Sequence, residues 1–222
     1  MKYDFNIVLI GAGDSSVEVV DYILNDSGFN IKKFFLKVFD NNHKNKKYFK
    51  KLNSKIILEK TYKLKNLSNK NTKALITFGS PDLRNKYKSL LSKKKISLFK
   101  FIHSTSYVSE SAKIELGSVI CPMCVIGSFA KIKKNTYINS GALIGHHATI
   151  GNNSVIAPNS FFGGNTSLGK DCFVGASSVI YPKIKILNNC KIVAGSSVTK
   201  NVNSKSFVYG NPAKIVKYFN KK

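Results

Sequence analysis

Residues 132–168 read IKKNTYINSGALIGHHATIGNNSVIAPNSFFGGNTSL. A large apolar residue stands at every sixth place: Ile132, Ile138, Ile144, Ile150, Ile156, Phe162 and Leu168. The series extends back through Ile126, Ile120 and Ile114 to Val108, and forward through Val174, Ile180, Ile186 and Ile192 to Val198. Sixteen consecutive hexads run without a slip, and only Phe162 is not aliphatic. Four places after each there is usually a small residue: Ala112, Ser118, Cys124, Ala130, Thr136, Ala142, Ala148, Ser154, Ser160, Thr166, Cys172, Ser178 and, after the exception Ile184, Cys190.

A period of six fits neither a helix at 3.6 nor a simple strand at 2. It fits a two-residue strand followed by a corner. Three such units close a triangular coil of eighteen residues, so sixteen hexads give about five coils. The large residue fills the interior, and the small one fits where the chain turns inward. Each coil buries its edge only by stacking on the next, as solenoids do. Gly127, Asn152, Asn153, Gly163, Gly164, Asn188 and Asn189 fall at corners and are expected to absorb positive φ there.

The remaining composition narrows the class. With 222 residues and 43% hydrophobic content, the chain can bury a core. No apolar run reaches the roughly 18 residues that a membrane span needs. The start, MKYDFNIVLIGAG, ends in a glycine turn and reads as a first strand, not a signal peptide. A cytoplasmic protein is the expectation. The net charge of +25 invites a nucleic-acid reading. Yet 35 of the 36 basic residues are lysines and only Arg84 is arginine, whereas base-edge recognition favours arginine. The lysines are also scattered, so the charge suits steering of small anionic ligands better than nucleic acid. Cys121 and Cys124 form a C-x-x-C without a second pair at zinc spacing. The hexad gives Cys124, Cys172 and Cys190 packing roles.

Residues 1–102 follow a different grammar. Asn6–Ile10 is an apolar strand running into Gly11-Ala12-Gly13. Ser15-Ser16-Val17-Glu18 matches a capping box, and Val17, Val20, Ile23 and Leu24 share one helical face. Phe34–Phe39 and Lys73–Phe78 read as further strands, ending at Asp40-Asn41 and Gly79-Ser80. Pro81 opens a helix with Leu83, Tyr87, Leu90 and Leu91 at helical spacing. Ile96–Ile102 reads as a last strand leading into the coil. Strands alternating with helices predict a small parallel α/β domain over 1–102, followed by the coil and tail over 103–222. Such sheets bind ligands at the carboxyl ends of their strands, where Gly11, Gly13, Asp14, Ser15, Asp40, Asn41 and Gly79 fall. A helix start at Ser15 would offer N–H groups to a phosphate. The turn is G-A-G-D-S-S and lacks the third glycine of a dinucleotide fingerprint, so a mononucleotide or sugar nucleotide is the expected ligand.

From Val108 onward the pattern resembles the hexapeptide-repeat acyltransferases. The order of parts resembles, more narrowly, the two-domain bacterial sugar acetyltransferases of the PglD/NeuD type. The matching residues are Gly11-Ala12-Gly13, Asp40-Asn41, Phe78-Gly79-Ser80, Phe101-Ile102-His103-Ser104, Asn139-Ser140 through Gly145-His146, and Tyr209-Gly210-Asn211-Pro212-Ala213-Lys214. The resemblance implies a small Rossmann-like domain followed by a left-handed parallel β-helix, assembled as a homotrimer with sites between neighbouring prisms. It implies transfer of an acetyl group from acetyl-CoA to a nucleotide-linked amino sugar. Asn139 is then a substrate residue, and Gly164, Gly175, Ala176 and Lys214 border the CoA.

His146 lies two places after the inward Ile144, so its side chain should point outward at a corner. Acyl transfer from a thioester to an amine needs a base for the departing proton, and an imidazole can supply one near neutrality. The resemblance makes His146 that base. The family commonly places an acid directly after it; here His147 stands there, either assisting, sharing the role, or leaving His146 to act alone. His103 at the linker is either a structural tie or a substrate contact, and His43 falls in an exposed Lys/Asn loop. Zinc would need three separated histidines converging on one ion, which adjacent His146 and His147 do not offer, so no metal is expected. A sugar hydroxyl as acceptor and a non-catalytic trimeric scaffold are the competing readings.

Overall fold

A computed structural model describes residues 6–28, 36–41, 44–68 and 70–219. His43 and Phe34–Phe35 lie outside the described residues. Five parallel strands come first: β1 (Asn6–Ile10), β2 (Leu36–Phe39), β3 (Ile57–Glu59), β4 (Thr72–Ile76) and β5 (Ser97–Leu98), in the order β3-β2-β1-β4-β5. Helices α1 (Asp14–Asn25), α2 (Lys46–Leu52) and α3 (Pro81–Lys93) connect them, with a 3-10 turn at Thr61–Asn66. Apolar residues pack on both sides of this sheet: Ile7 and Leu9 against α1, Val8 and Ile10 toward Tyr87 and Leu91 of α3.

Two local expectations need correction, and two short elements add to the reading. Helix α1 starts at Asp14 behind Gly13, and no side chain caps it, so Ser15 does not form the capping box. The run Ile96–Ile102 is not one strand. Ser97–Leu98 pairs with β4, whereas Phe101–Ile102 pairs with Val119–Ile120 in the coil. Helix α2 and the 3-10 turn were not read from the sequence at all. Their lysine-rich segments bury single anchors, Phe49 and Leu64, too few to show a period.

From Phe101 onward the chain forms a three-sided parallel β-helix of two-residue strands stacked at eighteen-residue spacing. The hexad residues from Ile120 to Val198 line one continuous core, extended by Val202 and Val208, while Val108 and Ile114 cap it half-buried. Each such burial is worth about 1.5–3 kcal/mol before entropy. Every sixth residue from Gly117 to Gly195 has φ between 55° and 81°. This is the third place after the interior residue. Asn fills it at 135, 153, 159, 165 and 189, but so do Met123, Phe129, His147 and Lys183. Gly127, Gly163 and Gly164 do not have positive φ. A Cβ on any of them would strike an adjacent coil, so they serve close approach.

The three faces differ in what they show outside. One carries Phe101, Val119, Tyr137 and Val155, all buried in a core shared with Ile7, Val19, Val20 and Ile23 of the α/β unit; it is the docked face. A second shows Lys113, Lys131, Thr149, Ser167 and Lys185 and is polar. The third shows Tyr107, Val125, Leu143, Phe161 and Val179, of which Tyr107 is 65%, Val125 38%, Phe161 39% and Val179 37% exposed. It is an uncovered apolar face.

Arg84 fixes the α/β unit on the docked face. It is 0% exposed. Its guanidinium donates to the carbonyls of Ile76 (2.5 Å), Phe78 (3.2 Å) and Asn135 (2.8 and 3.1 Å), and to Asn135 Oδ1 (3.1 Å). Burial pulls it down to about 9, and it remains a cation at neutral pH. From Asn135 the bonding continues coil by coil. Asn135 Nδ2 donates to Asn153 Oδ1 (2.7 Å), and Asn153 Nδ2 donates to Asp171 Oδ1 (2.7 Å) and to the Pro81 carbonyl (2.8 Å). Three corner residues thus form a polar ladder against α3.

Two outcomes test this account. Lys183→Asn, which suits the left-handed corner better, should raise stability by about 0.5–1 kcal/mol in denaturant unfolding. Arg84→Met leaves buried carbonyls unpaired and should cost about 3 kcal/mol, with faster amide exchange where α3 meets the coil.

Candidate active site

Asn139 and His146 flank the same apolar-face strand, Leu143–Ile144, on opposite sides. Residues 139–142 turn from the docked face to the apolar face. Residues 145–148 turn from the apolar face to the polar face. His146 and His147 are both exposed there. The His146 carbonyl accepts from Asn165 N–H (2.9 Å), and His147 N–H donates to the Ser128 carbonyl (2.8 Å), so coils on both sides hold the corner. Nδ1 of His146 lies 3.1 Å from Nδ1 of His147. The outer edge of the His146 ring lies over Gly164, where a Cβ would collide with it. Gly164 therefore makes the room in which the imidazole sits. In a three-sided rod this corner is opposite the docked face, away from the α/β unit of its own chain.

Gly175 and Ala176 belong to the other edge, with Asn139. A Cβ on Gly175 would strike the backbone of Ala194, so packing already demands that glycine. Lys214 is exposed in a hairpin formed by Ser206–Gly210 and Ala213–Tyr218, opposite Tyr209. One chain thus groups His146, His147 and Gly164, separately groups Asn139, Gly175 and Ala176, and places Lys214 apart.

The strand-end residues gather at one edge of the α/β sheet. Gly11 has φ 120° and is crowded by Ser16 and Thr77, whose hydroxyls lie 2.8 Å apart; it must be glycine. Gly13 and Gly79 have open space where a Cβ would stand. Asp40 Oδ2 accepts from Ala12 N–H (2.6 Å), and Asn41 Oδ1 accepts from the Thr61 hydroxyl (2.7 Å). Asn45, which sequence reasoning missed, is buried and donates to the Ala12 carbonyl and to Asp14 Oδ1, both at 2.9 Å. The glycine turn is therefore shaped from β2 and from the loop before α2. From Gly79 and Ser80 a cleft of about 760 Å³ runs to Phe173, Lys191 and Lys205 on the coil.

His103 lies where the α/β unit meets the first coil. Its Nδ1 lies 2.9 Å from the Thr105 hydroxyl, and its ring meets Tyr22 and Phe101 edge-on. Beside it, Asp26 accepts from Ser104 N–H (3.0 Å) and joins the end of α1 to the first coil. Burial alone would raise the Asp26 carboxyl, but hydrogen bonds from Ser104 and Gly28 bring it below its ordinary value. All four cysteines are buried and free. Burial pushes Cys121 up to about 12 and Cys124 to about 11, which disfavours their thiolates. Among the described residues there is no metal-binding group and no helix long and apolar enough to cross a membrane.

Comparison with known proteins agrees with this architecture. Residues 99–208 match the family model described as the GMPPB C-terminal domain. No curated protein matches the sequence. Among solved structures, PerB from Caulobacter crescentus, in complex with CoA and GDP-perosamine, superposes with a TM-score of 0.84 at 22% identity, covering 96% of this chain and 97% of that one. The acetyltransferase domain of PglB from Neisseria gonorrhoeae, in complex with acetyl coenzyme A, gives 0.83 at 21%, covering 96% and 100%. WeeI from Acinetobacter baumannii gives 0.81 at 22%, covering 96% and 100%. At these identities the likeness shows the fold, an α/β unit joined to a parallel β-helix.

The fit of His146 over Gly164 has a direct consequence. Gly164→Ala keeps an allowed backbone but displaces the imidazole. Crystallography should find the ring moved, while the thermal midpoint stays within a few degrees of the native protein.

Proposed function

We propose that this protein is an acetyl-CoA-dependent N-acetyltransferase acting on a nucleotide-linked amino sugar, with His146 as general base. The observation that carries the reading is the exposed His146 imidazole, seated over Gly164 at the edge of an uncovered apolar face. Two proteins of this fold support it, since both are described with CoA ligands and one of them with GDP-perosamine as well. The coil is read as left-handed and the α/β unit, over 1–102, as Rossmann-like. The strand-end edge at Gly11, Gly13, Asp14, Ser15, Asp40, Asn41 and Gly79 takes the nucleotide. Gly164, Gly175, Ala176 and Lys214 border the CoA, and Asn139 the acceptor.

The chemistry is one acyl transfer. The sugar amine attacks the thioester carbon, forming C–N and breaking C–S. His146 takes the amine proton and passes it to the departing thiolate. Backbone near Gly164 and Gly175-Ala176 is assigned to the developing oxyanion and the thioester. An amine needs less base assistance than a hydroxyl, which fits a histidine pair without a carboxylate and favours N- over O-acetylation.

A homotrimer completes this reading. His146 stands opposite the docked face, so a chain does not bring its own base to its own strand-end loops. A ring of copies meeting head-to-tail on the apolar face sets the base of one beside the α/β unit of the next. The exposed side chains of Tyr107, Val125, Phe161 and Val179 suit burial there.

Thiol release from acetyl-CoA, assayed with a panel of UDP-, GDP- and dTDP-amino sugars, tests the function. His146→Ala should lower turnover by about 10²–10⁴ without shifting the thermal midpoint; full activity in that variant would remove the base. Val125→Lys with Phe161→Lys should yield monomers by light scattering and abolish turnover.

A further inference from the structure

His147 sits in a left-handed corner at φ 58°, and Phe129, one coil away, in another at φ 59°. Asn would occupy either corner with less strain. What the two rings gain is each other: their centroids lie 5.0 Å apart at 31°. The His147 ring in turn stands at 85° to that of His146, with centroids 5.3 Å apart and the Nδ1 atoms 3.1 Å apart. Phe129, His147 and His146 are thus one contiguous stack on the solvent side of the corner.

A hydrogen bond between two Nδ1 atoms holds a single proton, donated by one ring and accepted by the other. A ring that takes a proton at Nε2 must carry its own proton at Nδ1. We propose that His147 is the positioning residue for His146: it accepts the Nδ1–H of His146, fixes that tautomer, and leaves the Nε2 lone pair for the reacting amine. Phe129 holds the His147 plane. This rests on His146 as the base, proposed above. The coil on one side of the pair presents Ser128 and Phe129, and the coil on the other presents Gly164 and Asn165, none of them ionisable; Glu110 and Lys183 follow one coil beyond on either side. Among the described residues no carboxylate hydrogen-bonds to either imidazole. His147 therefore fills by hydrogen bonding alone the place where a charged acceptor would otherwise stand.

The test is the pH dependence of kcat/KM and kcat for acetyl transfer in the full-length protein. His147→Gly suits the left-handed corner and carries no side-chain acceptor, and should lower kcat about tenfold with KM little changed. His147→Glu should recover kcat and move the acid limb of kcat/KM to higher pH by about one unit, because a carboxylate facing Nδ1–H favours the imidazolium. Phe129→Ala, which frees the His147 ring without touching the pair, should lower kcat about threefold. Native kcat in His147→Gly, or an unmoved acid limb in His147→Glu, overturns the positioning role while leaving the base in place. Native turnover in His146→Ala overturns both.

Discussion

The structure depends on one steric bargain struck every six residues. To bring a large side chain back into the interior after only six residues, the chain must reverse within four. From Ile114 to Ile192 it does so by placing the third residue after each interior one in the left-handed region. That conformation costs an ordinary L-residue about 1–2 kcal/mol, and burial of the interior side chain offsets it. Because the cost recurs at every corner, the coil tolerates it only as a stack, where each corner also lends backbone hydrogen bonds to its neighbours. The faces, and hence everything placed on them, follow from this register.

The register gave sequence reasoning its reach. The interior ladder was readable because it repeats the same physical demand at sixteen positions, and His146 was readable from its offset to Ile144. The corners were misread for an equally physical reason. Glycine serves both positive φ and close approach, and Gly127, Gly163 and Gly164 do the second. Phe129 over His147 was missed, although eighteen-residue stacking places the two side by side. Asn45 and Arg84 act through contacts distant in sequence, which no local pattern reports. Helix α2 left no period because a short helix anchored by Phe49 alone needs none.

Electrostatically, the molecule divides labour between its cations. Its sole arginine is spent inside, where a planar fork can satisfy several carbonyls at once. The lysines stay outside, giving the chain a net charge of +25, and among the described residues no carboxylate hydrogen-bonds to the histidine pair. Such a surface raises the local concentration of anionic ligands such as CoA and sugar nucleotides. It also leaves the His146 ring in contact with a neighbouring imidazole and with the room over Gly164.

The central claim is that the reacting site belongs to two copies, the imidazole coming from one and the strand-end loops from the next. Mixed oligomers address it directly. Chains carrying His146→Ala are combined with chains carrying Gly13→Glu, a substitution with room for the side chain but a charge that repels a phosphate. Each variant alone should be inactive. Random mixing should restore roughly a quarter of the native rate, since one seam in four joins an intact imidazole to an intact loop. Mixed oligomers no more active than their parents would contradict the account and place base and loops within a single chain.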